Sequence, residues 1–198
     1  MPRLAQSLGC LLLGAVVLTG CSAGEDLLTE EQLPDLVLQP GDLDDGYERF
    51  DEGRLAIADR PTGARSEPGR FGRLDGWKAR YRLPEGGETA VAAVVESRVD
   101  LFADSDGAEQ ELAAHRAELT GEDAGAVEEV PDLGDDAFVQ VRSQGAGASL
   151  AFVTVAWRQA NATGSVVVNG TGAGEDVEAA ALRLARAQQE RMSSAGPE

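Results

Sequence analysis

Trp77-Lys78-Ala79-Arg80-Tyr81-Arg82-Leu83 sets the fold. Trp77, Ala79, Tyr81 and Leu83 alternate with Lys78, Arg80 and Arg82, which is the period-2 pattern of a strand with one dry face and one wet face. Pro84-Glu85-Gly86-Gly87 turns the chain. Thr89 to Phe102 then reads as a second, longer strand carrying Val91, Val94, Val95, Val99 and Leu101. Upstream, Pro61 to Gly76 is rich in Gly, Pro, Arg and Ser and reads as a long loop, and Tyr47 to Ala56 reads as a weaker strand. Downstream, Asp106 with Glu109 three residues later matches a capping box. The helix it opens places Ala108, Leu112 and Leu119 on one face, and Gly121 stops it.

Past Pro131-Asp132-Leu133-Gly134 three more strands follow, at Ala137 to Arg142, Ser149 to Arg158 and Ser165 to Val168. Gly170 to Gly174 breaks the pattern. Glu175 and Asp176 open a closing helix whose stripe is Val177, Ala181 and Leu184, with Arg183, Arg186 and Arg191 placed later, as the helix dipole favours. The order is βββα-βββα. Strands joined by short turns pair antiparallel, so the expectation is an α+β domain: a twisted antiparallel sheet of about six strands with two helices packed on one face.

The amino terminus has the layout of an export signal, with Arg3, an apolar run from Leu11 to Leu18, and small residues before a cysteine. That run is too short to span a bilayer. Leu18-Thr19-Gly20-Cys21 resembles the lipobox of bacterial lipoproteins. The resemblance implies cleavage between Gly20 and Cys21, a thioether-linked diacylglycerol on Cys21, and a domain held by lipid on the extracytoplasmic side of the cell membrane. Residues 1–20 are then the signal peptide, 21–32 a lipidated tether, 33–192 one domain and 193–198 a frayed tail. Cys10 leaves with the signal, so the mature chain has no second cysteine for a disulfide.

Thirty-five acidic residues stand against 17 Lys plus Arg, for a net charge of −18. Binding nucleic acid requires clustered positive charge, so nucleic acid is excluded as a partner. Charge is unevenly spread. Arg60, Arg65, Arg70, Arg73, Lys78, Arg80 and Arg82 make a basic stretch inside an acidic chain. Arg65, Arg70 and Arg73 are candidates for binding anionic lipid head groups or envelope polymers; alternatively they balance the acidic segment before them.

Chemistry is hard to find. His115 is the only histidine, so a nucleophile and base pair lacks its usual base. Zinc has too few ligands. Asp42, Asp44, Asp45 and Asp51, or Asp100, Asp104 and Asp106, could offer oxygens to calcium, but neither group has the spacing of an EF-hand loop. No glycine loop carries the Lys-Ser/Thr ending that cradles phosphate. Asn161-Ala162-Thr163 and Asn169-Gly170-Thr171 fit the glycosylation sequon and read as turn residues. The expectation is a non-enzymatic chain with no cofactor and no metal.

Leu33-Pro-Asp-Leu-Val-Leu-Gln-Pro-Gly-Asp-Leu43, Gly134-Asp-Asp-Ala-Phe138 and the helix from Ala179 to Arg191 resemble small surface lipoproteins and receptor-kinase sensor domains of actinobacterial type, a group similar in fold to PsbP-type domains. The resemblance implies a module that binds or senses an envelope component; the alternative is an accessory lipoprotein that binds another envelope protein. Its motifs are packing motifs and bring no catalytic residue.

Overall fold

The computed structural model describes residues 27–55, 69–84, 91–120, 127–144 and 150–195. Its elements are α1 (Leu33–Leu36), a short 3-10 turn (Pro40–Asp42), β1 (Glu48–Arg54), β2 (Arg73–Arg82), β3 (Val94–Phe102), α2 (Ser105–Leu119), β4 (Val127–Glu129), β5 (Asp136–Gln144), β6 (Leu150–Gln159), β7 (Ala162–Thr171) and α3 (Gly174–Ser194). The seven strands form one antiparallel sheet in the order β1-β2-β3-β7-β6-β5-β4. Two meanders thus meet where β3 pairs with β7, with Val95 opposite Val168 and Val99 opposite Gly164.

Side-chain parity sorts the sheet into two faces. On one, Tyr81, Val95, Val99, Val153, Trp157 and Val166 pack under Val177, Ala181, Leu184 and Met192 of α3 and under Leu33 and Leu36 of α1. On the other, Phe138 and Ala156 pack under Leu112 of α2. The helices therefore cover opposite faces, which corrects the expectation that both lie on one. The reason is visible along β5 and β6, where Ala137 and Phe138, like Ala156 and Trp157, are consecutive buried residues. A strand that is apolar on both sides needs cover on both sides.

Other expectations are also adjusted. β4, three residues long, is a seventh strand, and α1 is a third helix of four residues. β2 begins at Arg73, inside the stretch expected to be loop. The cap of α2 is Asp104, whose Oδ1 accepts from the Gly107 amide at 2.8 Å, in place of Asp106; Gly121, its expected stop, lies outside the described residues. Within the expected tether Leu28 is 4% exposed and packs into the core, while Thr29, Glu30 and Glu31 are exposed. The expected frayed tail is partly helix, because α3 runs to Ser194 and the Ala195 carbonyl accepts from Gln32 Nε2.

Among the glycines that close approach requires, two lie on β7. Gly164 gives its side-chain space to the Trp157 indole and Met192 Sδ, and a Cβ on Gly170 would run into the Val91 carbonyl. Asn169-Gly170-Thr171 is accordingly strand, with the Ala93 amide donating to the Asn169 carbonyl at 2.8 Å, and the break expected at Gly170 is a crossing of two backbones.

Candidate functional site: a cavity under the amino-terminal segment

The amino-terminal segment crosses the end of the sheet where β2 starts and β3 finishes. Asn161, in the β6–β7 turn, holds it there. Asn161 Oδ1 accepts from the Leu28 amide at 2.8 Å, while Nδ2 donates to the Leu28 carbonyl at 3.1 Å and the Phe102 carbonyl at 2.9 Å. An amide side chain can satisfy a backbone donor and two acceptors at once, and here it does so while 2% exposed.

Beside this clasp lies a cavity of 860 Å³, within the size range of small-molecule sites. Leu28, Leu101 and Phe102 form its buried floor, and Leu27 and Leu74 its exposed walls. Thr29, Glu30, Glu31 and Arg54 stand at the rim. Two of them are held within the fold: Thr29 Oγ1 donates to Gln32 Oε1 at 3.2 Å, and Arg54 pairs with Asp75 and, at 3.8 Å, with Glu30. The arrangement suits an apolar body with a polar end and holds no nucleophile and base pair. A second cavity, of 630 Å³, lies between the 3-10 turn and the end of α3 and is lined by Asp35, Asp42, Glu190 and Arg191.

The face of β1 to β3 turned away from α3 carries a lattice of ion pairs. Asp51 meets Lys78 at 2.7 Å and Arg80 at 3.1 Å, and Arg80 meets Glu96 at 2.6 Å. Arg98 grips Asp100 through two contacts of 2.6 and 3.0 Å. Burial alone would lower the pKa of the Arg98 guanidinium, but Asp100, through its charge and hydrogen bonds, with Glu111 and Glu96 beyond, holds it above its ordinary value.

The sequence-derived candidates end in different places. Arg73 Nε lies 3.2 Å from Asp100 and its NH2 group 3.5 Å from Glu111 of α2, so its charge is used to dock the helix. Arg70 lies exposed with its guanidinium over the Phe71 ring. Arg65, Gly20 and Cys21 lie outside the described residues. His115 sits edge-on to Phe138, with ring centres 5.4 Å apart. Five of the seven aspartates considered for calcium are engaged elsewhere: Asp42 with Arg191 at 2.7 Å, Asp44 with Arg183 at 2.9 Å, Asp51 and Asp100 in the lattice, and Asp104 as a helix cap. No group of three or more metal-ligating side chains occurs among the described residues.

Sequence reasoning missed Leu27, Leu74 and Asn161. Leu27-Leu28 was a signal of a sort, a pair of leucines in a polar segment. Leu74 was hidden in a stretch dominated by turn formers.

In sequence, no protein-family model and no curated protein matches the chain. Among solved structures the chain is similar to the extracellular domain of PknH from Mycobacterium tuberculosis, with a TM-score of 0.60 at 12% identity, over 84% of this chain and 100% of that one. At that identity the likeness is one of fold: the chain shares the α+β architecture of an extracellular domain of a bacterial kinase.

Proposed function

We propose that the chain is an extracytoplasmic, non-enzymatic binding or sensing domain anchored by lipid on Cys21, and that the cavity under Leu27 and Leu28 receives an envelope component. The cavity carries this reading: a space of 860 Å³, walled by the exposed Leu27 and Leu74 and rimmed by polar residues, opens in a domain whose other apolar side chains are mostly buried. The fold shared with the extracellular domain of PknH supports an extracytoplasmic role. The anchor rests on the likeness of Leu18-Thr19-Gly20-Cys21 to a lipobox; among the described residues no helix is long and apolar enough to cross a membrane.

Two experiments test the reading. Cys21→Ser should move the protein out of the membrane fraction and abolish labelling with a radioactive fatty acid while leaving its circular dichroism unchanged; retention of either property ends the anchoring claim. For the cavity, mass spectrometry of native protein should find a bound small molecule that Leu74→Glu, an exposed substitution, depletes. Equal loading of the two proteins, or none in either, would end the binding claim.

A further inference from the structure

Among the described residues, large hydrophobic side chains are exposed at both ends of the sheet: Leu27 and Leu74 at one, and Val91, Leu150 and, beside Arg82, Phe50 toward the other; Leu27 and Leu74 share a cavity and lie nearest the proposed anchor. Leu27 is 41% exposed and Leu74 is 55% exposed, and both wall the cavity floored by Leu101 and Phe102. At the opposite end Val91, 40% exposed, sits against Gly170, next to the start of β6 at Leu150, 38% exposed. β2 alone carries the chain about 27 Å between the two ends, from Leu74 to Arg82.

Cys21 stands six positions before Leu27. Six residues reach at most about 20 Å even when fully extended. A lipid on Cys21 therefore ties the Leu27 end of the domain within one short tether of the head groups, while Val91 is tied only through the length of the domain.

We infer that the end of the domain bearing Leu27 and Leu74 rests on the bilayer, so that the membrane surface closes the mouth of the cavity. This rests on the proposed lipidation and adds the orientation of the domain and the source of its ligand: a molecule entering the cavity comes from the membrane. The contact is apolar. Glu30 and Glu31 at the rim are acidic, so attraction to anionic head groups does not hold this end down. Two leucines are too little to bind a free protein, since even one myristoyl chain binds only marginally. On a tether the same contact becomes intramolecular and needs far less energy.

Single-cysteine variants of the lipidated protein test this in phosphatidylcholine vesicles. The mature chain has no cysteine besides Cys21, so a polarity-sensitive thiol dye reports only the introduced site. Leu74→Cys should give blue-shifted emission and protection from iodide quenching on vesicles, and Val91→Cys should give neither. Equal emission at the two sites overturns the inference. So does a shift at Leu74→Cys that needs phosphatidylglycerol, which would assign the contact to basic charge, or one that grows with protein concentration without vesicles, which would assign it to a second copy. Failure of the anchor is separate: the wild-type protein would then take the dye at Cys21 and would not float with the vesicles.

Discussion

Asn161 is the residue on which the amino-terminal segment depends. Its amide replaces water for one backbone N–H and two carbonyls in a region too dry to supply any. Leaving such groups unpaired costs more than the bonds contribute when made. Asn161→Ala should lower stability by about 3 kcal/mol, seen as a lower urea midpoint. Protease cleavage between Leu27 and Gln32 should appear while β2 to β7 remain protected. An unchanged midpoint would mean that the segment is held by Leu28 and Leu33 alone. At this scale the sequence was read least well. Asn161 has the look of any turn asparagine, and only the distance in space to Leu28, 133 positions away in the chain, gives it a task. Arg73 is similar: a basic residue in a glycine-rich stretch resembles a surface charge until β2 is seen to begin there.

α2 is joined to the sheet by the small contact of Leu112 with Phe138 and Ala156 and by a buried cluster of Arg73, Arg98, Asp100 and Glu111. Asp100 is central, since it meets both arginines while its side chain is 3% exposed. Removing one member of a buried cluster strands the others, so Asp100→Asn should cost about 3 kcal/mol, and hydrogen exchange should quicken in α2 ahead of α3. Uniform exchange in the two helices would make the cluster incidental to docking. Element types were largely legible in the sequence. β2 announces itself by alternation, β3, β5 and β6 by apolar runs between turn signals, and α3 by its stripe and end charges. β4 and α1 are too short to form a period. The face taken by α2 was legible but unread, because it follows from the adjacent apolar pairs Ala137-Phe138 and Ala156-Trp157, whereas the stripe on a helix says only that one side is dry.

Across the whole molecule the amino-terminal segment is closed over the sheet by two tyrosines. Tyr81 donates to the Leu38 carbonyl at 2.7 Å and Tyr47 to the Ala92 carbonyl. Burial raises the pKa of both hydroxyls above the ordinary 10.0; Asp44 reinforces it at Tyr47, and Arg49 opposes it at Tyr81. The unfolded chain therefore loses these protons first as pH rises, and stability that is complete below pH 10.0 declines above it. Denaturant midpoints should hold as pH approaches 10.0 and fall as it rises further. Tyr81→Phe should flatten that fall while lowering stability by about 1 kcal/mol at neutral pH. An equally steep fall in the variant would place the alkaline transition elsewhere. The clasp at Asn161 also has a mechanical meaning. A pull on the chain ahead of Leu27 meets Asn161 before it meets any strand, and the two hydrogen bonds between Asn161 and Leu28 are loaded together, with the bond to Phe102 bracing the asparagine behind them. They would act as a fuse: the segment can peel from the end of the sheet and lengthen the leash while β1 to β7 keep their shape, so that force at the surface is spent on slack and the fold is spared.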